Sequence, residues 1–432
     1  MSVSTRSGSP VTDRRANRSQ RFTIQDFLAL ESAGGICLLI ATVTALVLAN
    51  SPLGGAVADF WHHHAVVMVG PVEIDESLVH WINDGAMAVF FLVAGLEIKR
   101  ELVVGELRDM RRAALPAIAA LGGMIMPAVI YLLINAGGEG AGGWGIPLAT
   151  DIAFAVALLA VVGRGLPAGL KIFLLSLAIA DDIGAVLVIA VFYSSSISFT
   201  WLSIVGGLLA LVILMKRADI WFVPAYVAVG IGLWVAMLES GVHATLTGVV
   251  LGLMAPAVAR KPDPTLVVVE PTTPHGVLRA VLTDARETIP VTDRLLHILH
   301  PWTAFVILPV FALANGGVEL SASGLADAAT SPITIGVVVG LVVGKLVGIV
   351  IATRLAVRLG IGSLPDGVTW PMITGVALLA GIGFTVSLFI TGLAFEDPGL
   401  QDSAKIGVLT ASVLAAIAGS RVLRRQSTSV DR

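Results

Sequence analysis

Repeated long apolar runs constrain this chain more than any other feature. Stretches of mostly apolar residues long enough to cross a bilayer as a helix, about 20 residues each, recur about twelve times. They lie near 30–50, 78–99, 113–134, 146–163, 170–193, 200–215, 221–238, 243–258, 301–316, 333–353, 372–395 and 405–423. Lipid offers no hydrogen bonds to a backbone, so such runs are satisfied internally as helices. Composition agrees: the 432 residues are 56% hydrophobic and 13% charged, against roughly 25% charged in a soluble domain. That is too little polar surface to wrap a soluble fold of this size. The expected class is all-α, a polytopic membrane protein of about twelve transmembrane helices.

Lysine and arginine test the count, because they concentrate in cytoplasmic loops. Arg14, Arg15, Arg18 and Arg21 precede the first run. Basic residues then follow every second run: Lys99, Arg100, Arg108, Arg111 and Arg112; Arg164 and Lys171; Lys216 and Arg217; Arg260 to Arg294; Arg354 and Arg358; and Arg421, Arg424 and Arg425. The intervening loops 51–77, 135–146, 194–200, 239–242 and 317–332 contain none, and Lys405 is the one basic residue on that side. A wrong count would scramble this alternation. Both termini are therefore expected in the cytoplasm. Residues 1–27, polar and Arg-rich, do not resemble a cleaved signal peptide and read as a disordered cytoplasmic tail. Residues 28–425 read as one transmembrane domain, and 426–432 as a second cytoplasmic tail. Two loops are larger. On the outside, two β-prone runs flank Gly70-Pro71 and predict a hairpin over 65–75. On the inside, the proline-containing, mixed-charge stretch 259–300 reads as an extended cytoplasmic loop. Cys37 is the single cysteine, which excludes intramolecular disulfides and cysteine-based metal clusters. The tract His62–His64 reads as a solvated loop.

Ionisable residues inside apolar runs are costly, by about 2.5–3.5 kcal/mol at the bilayer centre on insertion scales, and so mark function. Four stand out: Asp151, Asp181, Asp182 and Lys345. Asp181 and Asp182 sit at the middle of the fifth run. Neighbours on a helix point about 100° apart, so one carboxylate can line a cavity while the other meets a partner. Two nearby carboxylates resist double ionisation, and such a pair holds a proton or a cation but not both easily. Lys345 is the one basic residue well inside a run. It either snorkels to the interface or pairs with a mid-membrane aspartate; its nine-residue separation from Arg354, about 13 Å of helix, favours the pair. Glycines at 336, 340, 344 and 348 give that helix a close-packing face.

Pro147 and the preceding glycines interrupt the fourth run just before Thr150 and Asp151. Gly381 and Gly383 interrupt the eleventh just before Thr385. Two discontinuous helices in corresponding halves point to a mid-membrane binding site, although Gly381 and Gly383 alone also suit helix packing. Thr150 and Thr385 read either as oxygen ligands or as hydroxyls bonded back to their own helix. Carboxylates without cysteine or clustered histidine suit a hard monovalent cation rather than a transition metal; they do not choose between Na⁺ and K⁺.

The segments Ala149-Thr-Asp-Ile-Ala-Phe-Ala155, Leu177-Ala-Ile-Ala-Asp-Asp-Ile-Gly-Ala185, Gly241-Val-His-Ala-Thr-Leu246 and Gly381-Ile-Gly-Phe-Thr385 resemble the NhaA-type sodium/proton antiporters. So do Phe90–Leu102 and His297-Ile-Leu-His-Pro-Trp302, in the family's order, over roughly residues 22–425. The broken-helix rule was itself drawn in part from transporters of this family. The resemblance implies twelve spans in an inverted repeat, with spans four and eleven broken and crossed. It implies a homodimer aided by the external hairpin, and exchange of Na⁺ or Li⁺ outward for protons inward with net charge movement, in the cell membrane, supporting sodium and pH homeostasis. By the same resemblance Asp182 is the principal cation ligand and proton carrier, and Asp181 is the partner of Lys345 and a second participant, so that Na⁺ sits at Asp182 and Asp181. Asp151 and Lys345 balance facing half-helix ends, and Thr150 sits beside the site. Glu97, Arg100, Glu101 and His243 match positions tied to the pH response. Leu296 departs from the pattern, where an acid is expected. No cofactor and no nucleic-acid partner are implied; the partners are the ions, protons and the lipid bilayer.

Three rivals have definite requirements. An antiporter for another monovalent cation such as K⁺ fits the residues equally. An intramembrane aspartyl protease wants an aspartate after a Gly-x-Gly element, and Gly383 is followed by Phe384. A passive cation channel wants a repeated filter-like segment, which the chain lacks.

Overall fold

A computed structural model of the chain describes residues 24–430 except 70–71, 164, 195–196, 219, 221 and 259–289. Most of the expected N-terminal tail, residues 259–289 of the expected 259–300 loop, and residues 431–432 lie outside the described residues.

The described chain is a helical bundle. Its elements are α1 (Ile24–Ala49), α2 (Gly54–Trp61), β1 (His64–Val69), β2 (Val72–Ser77), α3 (Leu78–Val103), α4 (Met110–Asn135), a 3-10 helix Glu139–Leu148, α5 (Ile152–Val162), α6 (Ala168–Phe192), α7 (Phe199–Arg217), α8 (Val223–Glu239) and α9 (Leu246–Met254). After the undescribed stretch come α10 (Val291–Asn315), α11 (Ala322–Thr330), α12 (Pro332–Arg358), α13 (Trp370–Leu379), α14 (Phe384–Ala394) and α15 (Pro398–Val430). Among the described residues seven helices are long and apolar enough to cross a membrane, and ten if each bent pair counts as one span.

Short helices α2 and α11 fall in the expected loops 51–77 and 317–332, and the apolar runs depart from the helices most at three places. The run at 243–258 forms a helix of only nine residues, α9, about 14 Å long at 1.5 Å per residue, because the turn that opens at Gly241, with φ +78°, extends to Thr245 and the helix stops at Met254. The ninth helix begins at Val291 rather than near 301. The last helix runs on to Val430, through most of the expected C-terminal tail.

The strands β1 and β2 pair antiparallel, Ala65 with Glu76 through Val69 with Val72. His64, in the histidine tract, reaches Asp75 across the hairpin at 2.9 Å. The glycine face of α12 meets α4: a Cβ on Gly344 would lie 2.8 Å from the Pro127 backbone, and one on Gly348 would strike the Gly122 carbonyl. Backbones this close are the mode by which helices associate in lipid, where apolar side chains gain nothing by leaving one apolar medium for another. Two of the three bent pairs, Glu139–Leu148 with α5 and α13 with α14, meet inside the bundle, and polar side chains are buried there: Thr150, Lys345, Ser387 and Thr391 are 0% exposed.

Candidate functional site

The site is built where two helices stop. The Glu139–Leu148 helix and α5 are bent by 44° at their break, and α13 and α14 by 47°. Glycines at 140, 142, 143 and 145 and Pro147 weaken an α-helix over the first of these, and the chain takes the tighter 3-10 form instead. The breaks touch each other. The Asp151 N–H donates to the Ile382 carbonyl at 2.7 Å, and the Thr150 hydroxyl donates to the Ala380 carbonyl at 2.8 Å.

A helix end leaves N–H groups or carbonyls without partners and carries a partial charge. Here each end has its answer. The Asp151 carboxylate caps α5 by accepting from the Phe154 N–H at 3.0 Å. Its other oxygen accepts from the Thr385 N–H at 3.0 Å and the Thr385 hydroxyl at 2.6 Å, in the first turn of α14. One carboxylate thus serves two positive ends. At the carbonyl ends, Thr150 serves Ala380 and the Ser387 hydroxyl donates to the Ile146 carbonyl at 2.8 Å.

Asp181 and Asp182 part as helix geometry requires. Asp181 is 1% exposed, and its Oδ2 receives the Lys345 ammonium at 2.5 Å; Lys345 is 0% exposed. Lys345 also donates to the Thr150 hydroxyl at 2.7 Å. The Asp181 Oδ1 is buried with no hydrogen-bond partner. Asp182 turns the other way and lines a cavity whose wall also carries Thr150, Asp151, Glu97 and His300. Carboxylates and hydroxyls on one wall suit a hard cation. Among the described residues no group of three or more His, Cys, Asp or Glu converges in the manner of a resident metal centre.

Of the remaining sequence candidates, the structure gathers some and separates one. Glu97 lies on the cavity wall, 3.3 Å from the His300 ring. Arg100, one turn on, pairs with Asp293 at 3.3 Å. Glu101 follows it on α3 and is half-buried. His243 is elsewhere: its ring nitrogen meets the Tyr193 carbonyl at 2.5 Å, past the far end of α6, eleven residues or about 16 Å of helix from Asp182. Gly381 and Gly383 sit at the break, and Thr385 reaches Asp151. Sequence reading missed His300 and Asp293 as partners because that stretch read as loop. As helix, Asp293 and His300 stand two turns apart on one face, which meets Glu97 and Arg100. Leu296, between them, is buried against Val93 and Leu96.

A bundle of apolar helices with two interrupted pairs, mutually capped ends and an aspartate-lined cavity in its middle defines a polytopic membrane protein of the transporter class. The comparisons are specific. The model of the family described as Na⁺/H⁺ antiporter 1 matches residues 25–423, and the chain belongs to that family. It is 46% identical over 409 residues to the protein named Na(+)/H(+) antiporter NhaA 3 of Frankia alni, covering 93% of this chain and 88% of that one. It is 47% identical to Na(+)/H(+) antiporter NhaA of Rhodopirellula baltica, with 92% of each chain covered. With the protein of that name from Shewanella loihica it shares 45% identity over 92% of this chain and 95% of the other.

Proposed function

We propose that the chain is an electrogenic antiporter that moves Na⁺ or Li⁺ out of the cell in exchange for protons, with Asp182 and Asp181 as the carboxylates that hold cation and proton in turn. The supporting observation is the division of labour between neighbours. Asp182 faces the cavity, while Asp181 is buried against Lys345 with one oxygen unpartnered. Carboxylates this close favour binding one cation or retaining protons over holding two bare charges. Protonation on one side of the membrane expels the cation there, and release of protons on the other side readies the pair again. Because two carboxylates can together hold more than one proton against one monovalent cation, each cycle moves net charge. Asp151 and Thr150 keep the half-helix ends in register around the site.

The full reading includes twelve spans, with α8 and the α9 region completing the ten, and with the pair Glu139–Leu148/α5 crossing the pair α13/α14. It places the chain in the cytoplasmic membrane with both termini inside, as a homodimer aided by the β1–β2 hairpin, and assigns a pH response to Glu97, Arg100, Glu101 and His243. The Lys and Arg alternation supports the orientation. The Glu97–His300 and Arg100–Asp293 pairs beside the cavity support a response seated at its cytoplasmic mouth.

The decisive test uses everted membrane vesicles energised by respiration, with a fluorescent reporter of ΔpH. Wild-type vesicles dissipate ΔpH on addition of Na⁺; Asp182→Asn vesicles respond no more than those lacking the protein. Wild-type-like dissipation by Asp182→Asn would overturn the assignment. The same assay with K⁺ decides between the two cation readings.

A further inference from the structure

The Glu139–Leu148 half-helix is 3-10, with poorer hydrogen-bond geometry than an α-helix, so a side chain that bonds its peptide groups adds to its hold. Tyr193, the residue just past α6, supplies two at once. Its hydroxyl donates to the Gly142 carbonyl at 2.9 Å and accepts from the Gly145 N–H at 2.9 Å. One phenol therefore bridges a full turn of 3-10 helix.

Two further observations mark the contact as built in. A Cβ on Gly145 would lie 2.5 Å from the Tyr193 oxygen and 2.8 Å from its ring, so glycine is what lets the phenol reach the backbone. The Tyr193 carbonyl receives the His243 ring at 2.5 Å, and its own ring stacks on Trp144 at a centroid distance of 6.4 Å. Residue 193 is thus fixed at its backbone by the turn before α9 and at its side chain by the half-helix. Four residues, 146–149, separate Gly145 from Thr150. Within them the Ile146 carbonyl is pinned by Ser387, and Pro147 has its φ preset by its ring. A displacement at Gly145 is carried along this stiff segment to Thr150 and Asp151 rather than absorbed.

We propose that Tyr193 is a positioning residue for cation binding, acting on Thr150 and Asp151 through the 3-10 half-helix that its hydroxyl holds. The inference rests on the reading of the Asp181–Asp182 region as the exchange site. Sites of this kind need their groups placed within about 0.5 Å, so loosening the clamp weakens cation affinity before it touches turnover. Tyr131 provides the comparison. Its hydroxyl donates to the Gly140 carbonyl at 2.8 Å, on the same half-helix but farther from the site and with one bond rather than two.

The experiment measures Na⁺-driven proton exchange in proteoliposomes for wild type, Tyr193→Phe, Gly145→Ala and Tyr131→Phe. Tyr193→Phe removes both bonds and keeps the stacked ring; Gly145→Ala displaces the phenol from the other side. Each is expected to raise KM for Na⁺ about five- to tenfold with Vmax within about twofold, while Tyr131→Phe stays within about twofold in both. An unchanged KM in Tyr193→Phe, an equal rise in Tyr131→Phe, or a loss of Vmax alone would overturn the proposal. Amide hydrogen exchange over residues 145–150 gives a readout independent of transport. Tyr193→Phe accelerates it and Tyr131→Phe does not; equal rates in all three proteins reject the clamp. If wild type itself exchanges no Na⁺ for protons, the failure lies with the exchange reading, and hydrogen exchange still decides on the clamp.

Discussion

Lys345 and Asp181 form an ion pair with both side chains almost wholly buried, 0% and 1% exposed. Breaking such a pair on one side costs about 3–5 kcal/mol, because the survivor is left as an uncompensated buried charge, whereas removing both members costs far less. Lys345→Met is therefore expected to lower the apparent melting temperature of the purified protein sharply. Lys345→Met combined with Asp181→Asn should recover more than half of that loss. Thermal melts of wild type, both single variants and the double variant close the cycle; additive losses would refute the coupling. The pair was largely legible beforehand, since a lone lysine deep in an apolar run needs a counter-charge. The resemblance names Asp181 as the partner; the 100° between the two aspartates gives it only once α12 is placed against α6. Thr150 shows where reading by residue stops. The sequence offers ligand or back-bond; the hydroxyl donates to Ala380, 230 positions away, while the residue lines the cavity, and only tertiary contact reveals that bond.

At the scale of elements, glycine and proline marked both breaks correctly, because those residues act locally on the backbone. Boundaries set by distant packing were less legible. The start of α10 at Val291 lay hidden in a polar stretch whose charged face is matched by α3 rather than by water alone. The small-residue face of α12 was readable from its four-residue spacing, and the structure gives it a steric meaning. A side chain on Gly348 meets the carbonyl of Gly122, and neither backbone can retreat without parting α12 from α4. Overpacking at such a contact costs typically 1–3 kcal/mol or more. Gly348→Val is expected to cut the yield of monodisperse protein in detergent several-fold. Gly206→Ala on α7, where an added Cβ meets nothing within 4 Å, should be neutral or slightly stabilising. Equal yields for the two variants by size-exclusion chromatography would show that the α4–α12 approach is not needed.

For the whole molecule, the alternation of basic and non-basic loops and the order of helices make one joint statement about orientation. Helix α12 carries Lys345 at its middle, and its two ends emerge on opposite faces if it spans the membrane. Ser323, on α11 before it, and Ser363, in the turn after it, are both exposed. The loop containing Ser323 lacks Lys and Arg, whereas Arg354 and Arg358 lie just ahead of Ser363. The positive-inside bias then puts Ser323 outside and Ser363 in the cytoplasm. In a background with Cys37 replaced by alanine, a membrane-impermeant maleimide added to intact cells should label Ser323→Cys and leave Ser363→Cys unlabelled until the membrane is opened. Labelling of both from outside would remove α12 as a span and, with it, the mid-membrane position of Lys345 on which the exchange site depends. The reverse pattern would keep the site but invert the molecule: the proton gradient, not the orientation, sets the direction of exchange, so Na⁺ would still leave the cell, while the Glu97–His300 side of the cavity would face outward.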